Sequence, residues 1–284
     1  MSPEVSRGGI RRVSPEVSDR AAPIVTFLSD YGYDDEFVGV CHCVIARRCP
    51  AARIIDLGHG LSHRDVRAGA LALRAALPYA PPGVHLAVVD PGVGSDRRAL
   101  ALRTRDQARI LVGPDNGLLL PAAAAFGGVV EAVDVADSPE ALRPISATFH
   151  GRDVFAPVAA ALADGVPIEA VGRAIEPETL VALELPAPRQ ERDAVHAHVL
   201  SIDGFGNVAL DVEPATLTGA ASLLLEVGGR QSAALLGRTF ADVPPGELVA
   251  YADSRGCLAL AVNRGSAAAR LGVGVDDELV LRAR

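Results

Sequence analysis

The sequence lacks the features that mark membrane and secreted proteins. No apolar stretch reaches the roughly 20 residues that a transmembrane helix needs. The segment at 71–77 is interrupted by Arg74 and is followed by Pro78. The polar start of the chain, with its repeated SPEVS, contains no apolar region of the kind found in a secretory signal. We therefore predict a cytoplasmic protein that makes no use of a membrane.

The sequence also lacks an excess of basic residues over acidic residues. The chain carries 27 lysines and arginines against 35 acidic residues, a formal net charge of -8. A protein that binds a phosphate backbone needs a basic surface, so we predict no nucleic-acid partner. An acidic protein can still accept a cationic small molecule. The 284 residues, 49% of them hydrophobic, are enough to bury the cores of two domains.

The cysteine pattern is not that of a structural zinc site. Cys41 and Cys43 flank His42 with a spacing of one residue, and the other two cysteines are Cys49 and Cys257. No CxxC pair is present, and no second pair of ligands follows. We interpret the cysteines as small side chains kept reduced in the cytoplasm.

A metal site built from His59, His63 and either Asp56 or Asp65 is a further possibility, because one face of a helix could bring Asp56, His59 and His63 together. Gly58 and Gly60 disfavour it, since they predict a loop in this segment. We predict no metal site and no organic cofactor.

Apolar stretches typical of strands alternate with helical patterns between residue 24 and about residue 180. The predicted strands are 24–29, 53–57, 84–89, 110–112 and 128–135, and the predicted helices are 36–48, 65–77, 118–126 and 153–163. This alternation predicts an α/β domain with a mostly parallel sheet and helices on both faces. Ligands bind such sheets at the carboxyl ends of strands, where Asp30 and Asp90 fall.

The pattern changes after a segment rich in proline and charge at 184–193. Strand-like stretches at 195–202, 208–212, 222–227, 248–252 and 258–262 are then separated by glycine, proline and aspartate. They predict a small antiparallel, barrel-like β domain. We divide the chain into a flexible tail at 1–22, an α/β domain at 23–188 and a β domain at 189–284.

Four polar clusters are candidates for chemistry: DYGYDD at 30–35, DPGVG at 90–94 followed by two arginines, TFHGRD at 148–153 and DGFGN at 203–207. Each has a structural explanation on its own. The aspartates are typical of helix caps and turns, and a single histidine is more often a core or capping residue. The glycines match neither a phosphate-binding loop nor a serine nucleophile elbow. The residues alone therefore indicate an α/β enzyme with acidic side chains at strand ends.

Taken together, the clusters resemble the SAM hydroxide adenosyltransferase family, relatives of the bacterial fluorinase and chlorinase. The matching fragments are FLSDYGYDDEFVG, VVDPGVGSDRR, GPDNGLL, TFHGRDVFAP, IDGFGN and SRGCLALAVNRGSAA. The fragments lie between Phe27 and Ala268, and we take the resemblance to cover about residues 23 to 281. The resemblance implies an N-terminal α/β domain joined to a C-terminal β domain. It also implies a homotrimer that holds S-adenosyl-L-methionine (SAM) between its subunits.

The resemblance also implies substrate contacts in the N-terminal half. Asp30 matches the residue that binds the ribose hydroxyls, and a carboxylate accepting from two hydroxyls makes strong, directional hydrogen bonds. Phe149 falls in the substrate pocket.

In the C-terminal half, the resemblance places Asp203 and Asn207 near the polar ends of methionine, and Phe205 as an apolar wall. The alternative for this motif is a simple hairpin turn. Ser254 and Arg255 match residues at the methionine carboxylate, which suits a guanidinium. The backbone at 263–267, up to Ala267, matches the adenine edge.

By the same resemblance, Asp90, Arg97 and His150 form the catalytic group of the members that use water. The halogenases have a tyrosine where this chain has Asp90 and a small hydroxyl residue where it has Gly151. A carboxylate in a buried pocket repels a halide. We therefore predict hydrolysis of SAM to adenosine and L-methionine, with water attacking the ribose C5′.

Three other readings stay open at this point. A SAM-dependent halogenase would form a chlorinated nucleoside, and a non-catalytic SAM or adenosine sensor would bind without turnover. A SAM methyltransferase would need a glycine-rich loop after its first strand, where this chain has Asp30-Tyr31-Gly32-Tyr33.

Overall fold

The computed structural model describes residues 21–217 and 219–284. Residues 1–20 of the predicted flexible tail lie outside this range. The first half contains a seven-stranded sheet in the order β2-β1-β3-β5-β4-β6-β7. Its strands are β1 (Ile24–Ser29), β2 (Arg53–Gly58), β3 (Val84–Val88), β4 (Ala99–Thr104), β5 (Ile110–Pro114), β6 (Val129–Asp134) and β7 (Arg173–Ile175).

Most strands of this sheet run in one direction, as predicted. β1 is parallel to β2 and β3, and β3 is parallel to β5. β4 is antiparallel to both β5 and β6, and β7 is antiparallel to β6. Strand β1, which lies between β2 and β3, is buried on both faces. Successive side chains of a strand point to opposite sides, so Phe27 enters one core and Leu28 enters the other, which explains the mostly apolar sequence.

Helices cover both faces of the sheet. They are α1 (Phe37–Arg48), α2 (Val66–Ala76), α3 (Leu120–Ala124) and α4 (Ala156–Ala163). α1 and α4 pack in the core that contains Phe27, and α2 and α3 pack in the core that contains Leu28. Asp65 caps α2 by accepting a hydrogen bond from the backbone N–H of Ala68 at 2.8 Å.

The second half is a closed barrel of seven strands with one further strand attached. Strand β8 (Arg189–Glu191) pairs with the start of β9, and the pairing of β9 with β10 closes the barrel. The barrel strands are β9 (Ala194–Ile202), β10 (Val208–Leu210), β11 (Ser222–Val227), β12 (Arg230–Leu236), β13 (Leu248–Ala252), β14 (Leu258–Val262) and β15 (Glu278–Ala283). A short helix, α5 (Ala267–Leu271), packs on β14.

The barrel confirms the predicted architecture with one difference. β12 and β13 are parallel neighbours, whereas the barrel was predicted to be antiparallel. The parallel pair arises because the segment at 237–247 brings the chain back across the barrel before β13 begins.

Other differences lie in single elements. Five strands were not predicted: β4, β7, β8, β12 and β15. The helix predicted at 153–163 begins instead with a π-helical turn, Gly151–Phe155. The Ala-Leu alternation of β4 has no β-branched residue before Thr104, so its local sequence does not favour a strand. β4 is nevertheless a strand, because it pairs with β5 and β6 and is buried on both faces of the sheet.

β7 ends at Ile175 and β8 begins at Arg189. The division into domains at 188 stays a prediction. Within the described part of the chain, no helix has the length and apolar character required to cross a lipid bilayer.

Candidate active site

Asp90, Arg97 and His150 meet at the carboxyl end of β3. Arg97 donates from Nε to Asp90 Oδ1 at 2.9 Å and from Nη2 to Asp90 Oδ2 at 2.5 Å. Its Nη2 also donates to His150 Nδ1 at 2.9 Å. The Arg97 and Asp90 side chains are 10% and 6% exposed, so the pair is largely shielded from water. The structure thus brings together the three residues predicted to be catalytic.

The Arg97 contact defines the form of His150. A guanidinium has no lone pair to offer, so His150 Nδ1 must accept and the proton of the neutral ring lies on Nε2. Burial lowers the pKa of His150, and the Arg97 cation lowers it further against the opposing effect of Asp90. Both effects keep the ring neutral near pH 7. His150 can therefore donate from Nε2 while Asp90 accepts.

Two loops approach closely to build this group. Gly94, at φ +79°, lies in the loop after β3, and a Cβ there would be 2.5 Å from the carbonyl oxygen of Ala147. Only glycine permits both this backbone conformation and this approach. The loop that leads to His150 is held in turn by Asp153, which is 2% exposed and accepts from the backbone N–H of Ser146 and the guanidinium of Arg152.

Tyr31 completes the group, although the sequence did not identify it as a site residue. Its hydroxyl lies over Gly151, where a Cβ would come within 1.9 Å of the phenolic oxygen. Burial raises the pKa of Tyr31 well above its usual range, with smaller contributions from Cys41, Asp30 and Asp90. The hydroxyl therefore keeps its proton near these carboxylates. The available signal was its position directly after Asp30 at a strand end.

Asp30 follows β1 and lies beside the end of β3. Its backbone N–H donates to the carbonyl oxygen of Val88 at 3.3 Å. Its Oδ2 accepts from the backbone N–H of Arg64 at 2.8 Å, and its Oδ1 accepts no hydrogen bond from the described residues. One carboxylate oxygen is thus held by the protein while the other is available to a ligand.

Phe149 joins an aromatic group at the same edge of the sheet. Its ring meets the rings of Tyr31 and Phe37 edge to face, with centroid distances of 5.7 and 5.1 Å. The Arg152 guanidinium lies over the ring of Phe149 at 5.0 Å. These rings form an apolar wall beside the polar group. We call the whole set the strand-end cluster; its members are Asp30, Tyr31, Asp90, Arg97, Phe149 and His150.

The DGFGN motif forms a tight turn between β9 and β10. Asp203 Oδ1 accepts from the backbone N–H groups of Phe205 and Asn207, and Oδ2 accepts from the Asn207 side chain. Asp203 therefore organises the turn, as the structural alternative expected. The Phe205 ring is 83% exposed. The turn rests on α5, where the N–H of Ala268 donates to the carbonyl of Gly206 and Ala267 is fully buried.

A cavity of about 800 Å³ opens beside this turn. We call it the barrel cavity; its lining includes Asp203, Phe205, Asn207, Tyr251, Ser254, Arg255 and Asn263. The Arg255 side chain is exposed, and its only side-chain hydrogen bond among the described residues is a long one of 3.4 Å to Ser201. A guanidinium with so few partners can take up a carboxylate.

All but one of the predicted site residues fall into two groups; the exception, Ala267, is fully buried and does not line the barrel cavity. Asp203, Phe205, Asn207, Ser254 and Arg255 line the barrel cavity, and none of the cavity-lining residues belongs to the strand-end cluster. Within the described residues, no hydrogen bond or ion pair joins the two groups.

Family models match both halves of the chain. Residues 25–172 match the SAM hydroxide adenosyltransferase N-terminal domain. Residues 197–280 match the SAM hydroxide adenosyltransferase C-terminal domain.

Three curated relatives illustrate the range of similarity. The (R)-S-adenosyl-L-methionine hydrolase of Salinispora tropica is 51% identical over 262 residues, covering 92% of this chain and 98% of the relative. The protein of the same name from Thermus thermophilus is 45% identical over 260 residues, covering 88% and 95%. A fluorinase of an Actinoplanes species is 31% identical over 272 residues, covering 85% and 91%.

Solved structures share the fold over nearly the whole chain. An uncharacterized conserved protein from Thermotoga maritima has a TM-score of 0.84 and 36% identity, covering 91% of this chain and 99% of its own. A conserved hypothetical protein from Thermus thermophilus has a TM-score of 0.73 and 41% identity, with the same coverage. With both domains matched in order, this chain belongs to the SAM hydroxide adenosyltransferase family.

Proposed function

We propose that this enzyme hydrolyses SAM to adenosine and L-methionine by attack of water at the ribose C5′. The observation that carries the proposal is the hydrogen-bonded group of Asp90, Arg97 and His150. Relatives that cover almost the whole chain are named as SAM hydrolases, at up to 51% identity. Fluorinases are more distant, at 28% to 32% identity.

The reaction is an in-line displacement. The water oxygen forms a bond to C5′ while the bond from C5′ to the sulfonium breaks, and its electron pair returns to sulfur. Methionine leaves as a neutral thioether, so the leaving group needs neither a proton nor a cofactor. The difficult partner is water, whose pKa of about 15.7 makes it a poor nucleophile.

The geometry suits the positioning of water. His150 Nε2 donates a hydrogen bond to the oxygen of the attacking water. Asp90 accepts a proton from this water as the bond from the water oxygen to C5′ forms. Arg97 holds both side chains in place, because its guanidinium donates hydrogen bonds to the Asp90 carboxylate and to Nδ1 of His150. The carboxylate also disfavours a halide in the same position, since two anions repel strongly where water is excluded.

Substrate binding is assigned to both groups. Asp30 holds the ribose hydroxyls through its available oxygen, and Phe149 packs against the substrate. The barrel cavity takes the rest of SAM, with Phe205 as an apolar wall, Asn207 and Asp203 near the amino acid end and Arg255 on the carboxylate. Ser254 assists there, and the backbone at Ala267 and the preceding residues meets adenine.

We propose that the active site lies between subunits of a homotrimer. The separation of the strand-end cluster from the barrel cavity supports this arrangement, because the residues assigned to the ribose and to the attacking water do not line the cavity assigned to the rest of SAM. The position of Phe205 supports it too, since its ring lines the barrel cavity and is 83% exposed, which leaves it free to contact a neighbouring subunit. A cytoplasmic location is also proposed; four free cysteines agree with a reducing compartment.

Product analysis tests the reaction. Purified protein is incubated with each sulfonium epimer of SAM, with and without chloride, in water labelled with oxygen-18. Mass spectrometry should detect adenosine that carries oxygen-18, together with methionine, both with and without chloride. A chlorinated nucleoside would instead indicate a halogenase, S-adenosylhomocysteine a methyltransferase, and intact SAM despite measured binding a sensor.

Variants test the residues. Asp90→Asn, Arg97→Ala and His150→Ala should each slow turnover by about 100-fold or more while SAM still binds. Asp96→Asn is the matched control, because Asp96 is an exposed carboxylate in the same loop. Normal turnover in the first three variants would refute the assignment.

A further inference from the structure

A second cluster of polar side chains lies on the α1 face of the first sheet. His42 in α1 places Nε2 2.8 Å from Oδ1 of Asp56 in β2. His59, just beyond the end of β2, places its Nε2 3.1 Å from the same oxygen. The three ligand atoms lie within 4.8 Å of one another. None of these residues belongs to the strand-end cluster or the barrel cavity.

The environment of His59 is a second indication that this cluster binds a ligand. The side chain is fully buried, yet among the described residues Nε2 has no hydrogen-bond partner. It lies near Asp56 Oδ1 without the alignment that a hydrogen bond requires. Buried polar atoms in native proteins are nearly always satisfied, so an unpartnered imidazole nitrogen needs an explanation.

The hydrogen bond of the other ring nitrogen, Nδ1, bears on where the His59 proton lies. His59 Nδ1 and Ser29 Oγ are 2.7 Å apart, a short hydrogen bond. If Nδ1 donates to the hydroxyl, Nε2 presents a lone pair toward the Asp56 carboxylate, and two acceptors face each other. A cation between them removes this repulsion and satisfies both.

We propose that His42, Asp56 and His59 bind a divalent transition-metal ion of the zinc class. Two imidazole nitrogens and one carboxylate oxygen are typical zinc ligands. Tetrahedral coordination at about 2.0–2.1 Å separates ligand atoms by roughly 3.3 Å. The observed separations of 2.8 and 3.1 Å need only a small widening. His42 and Asp56 are partly exposed, which leaves a route for the ion and a position for water.

The site has a structural link to the substrate side of the sheet. A metal on Nε2 fixes the proton on His59 Nδ1, as a second hydrogen bond commonly does for a metal-bound histidine. Ser29 Oγ then accepts from His59, and it also accepts from the backbone N–H of Tyr31 at 3.3 Å. The carbonyl of His59 accepts from the N–H of Gly32 at 2.8 Å. The ion thus stabilises the loop that carries Asp30.

Equilibrium dialysis with Zn²⁺ tests the proposal. The full chain is prepared without a histidine tag, stripped with a chelator, dialysed against buffered Zn²⁺ and analysed by atomic emission. We expect about one zinc per chain. His42→Ala and Asp56→Asn should each weaken binding by at least about tenfold. Both residues are partly exposed, so these variants should fold; His59→Gln is a third variant whose fold is checked by circular dichroism.

His63→Ala is the matched control, because His63 is an exposed histidine in the same loop as His59 and lies outside the cluster. It should bind zinc like the parent. Co²⁺ serves as a second probe: its absorption should show nitrogen and oxygen ligation without thiolate charge transfer, which excludes Cys43 as the ligand. Thermal unfolding should shift upward with Zn²⁺ in the parent and His63→Ala, but not in His42→Ala.

Less than one zinc per chain at saturation would overturn the proposal. Undiminished binding in both His42→Ala and Asp56→Asn would do the same. Because the ion is measured directly, the result stands apart from the proposed SAM hydrolysis.

Discussion

The contact between Gly151 and Tyr31 yields a quantitative test of how the strand-end cluster is packed. In Gly151→Ala, the new methyl group would lie 1.9 Å from the Tyr31 hydroxyl oxygen. The ring must move by more than about 1 Å to reach an ordinary contact, yet it is held by Phe149 and Phe27. Overpacking of this kind costs about 1–3 kcal/mol of unfolding free energy.

A double-mutant cycle isolates this contact. Tyr31→Phe removes the hydroxyl, after which the nearest atom to the new methyl group is the ring Cζ at 3.0 Å. Gly151→Ala should then cost at least about 1 kcal/mol less in the Tyr31→Phe background than in the parent. Gly39→Ala is the control, because Gly39 lies on the exposed side of α1 and no atom lies within 4 Å of a Cβ added there. It should stabilise the protein by about 0.5–1 kcal/mol.

Urea unfolding followed by circular dichroism measures all of these variants, with equal slopes required for the comparison. Gly151→Ala should also lower turnover, because the displaced phenol disturbs the cluster. An equal cost of Gly151→Ala with and without the Tyr31 hydroxyl would refute the steric argument. So would a Gly151→Ala variant as stable as Gly39→Ala.

Three further predictions follow from the structure. In NMR titration, the pKa of His150 should lie below its ordinary 6.5 and should rise in Arg97→Gln, because the neighbouring cation is lost; a fall would contradict the assigned contact. Burial, with a contribution from Arg109, lowers the pKa of His85 to about 3, so the unfolded chain binds the extra proton below pH 6.5. Between pH 6.5 and 5 this one group should remove about 2 kcal/mol of stability, and His85→Gln should flatten the pH dependence of urea unfolding by that amount. Asp30→Asn should raise KM for SAM more than it lowers kcat in steady-state assays, and an unchanged KM would count against the ribose contact.

Much of the fold was predictable where burial dictates the sequence. β1 and β3 were recognised because a strand covered on both faces is mostly apolar. β4 is equally buried, but its alternating alanines and leucines suit a helix as well as a strand. Its conformation is decided by pairing with β5 and β6, and that tertiary effect leaves no local signal.

The proposed catalytic group of Asp90, Arg97 and His150 was predicted from the joint resemblance and not from single residues. Asp90 and His150 are 60 positions apart, and only the close approach of their loops at Gly94 and Ala147 brings them to one arginine. Tyr31 was missed because its hydroxyl occupies the space left by the absence of a side chain at Gly151, 120 residues further along the chain.

The cluster of His42, Asp56 and His59 shows the same limit. The sequence pointed to Asp56 and His59 but paired them with His63, a neighbour along the chain. In the structure the third residue is His42, which α1 brings across the sheet to β2. Proximity along the chain was a poor guide because helix packing determines the partner.

The proposed site between subunits would make catalysis depend on the concentration of the protein. If each working site joins the two halves of different chains, dilution dissociates the assembly and removes activity without unfolding any subunit. Two inactive proteins would also rescue each other. A mixture of Asp90→Asn and Arg255→Ala chains, reassembled together, contains sites with an intact cluster from one and an intact cavity from the other. The abundance of the protein would then set a threshold below which SAM is left untouched.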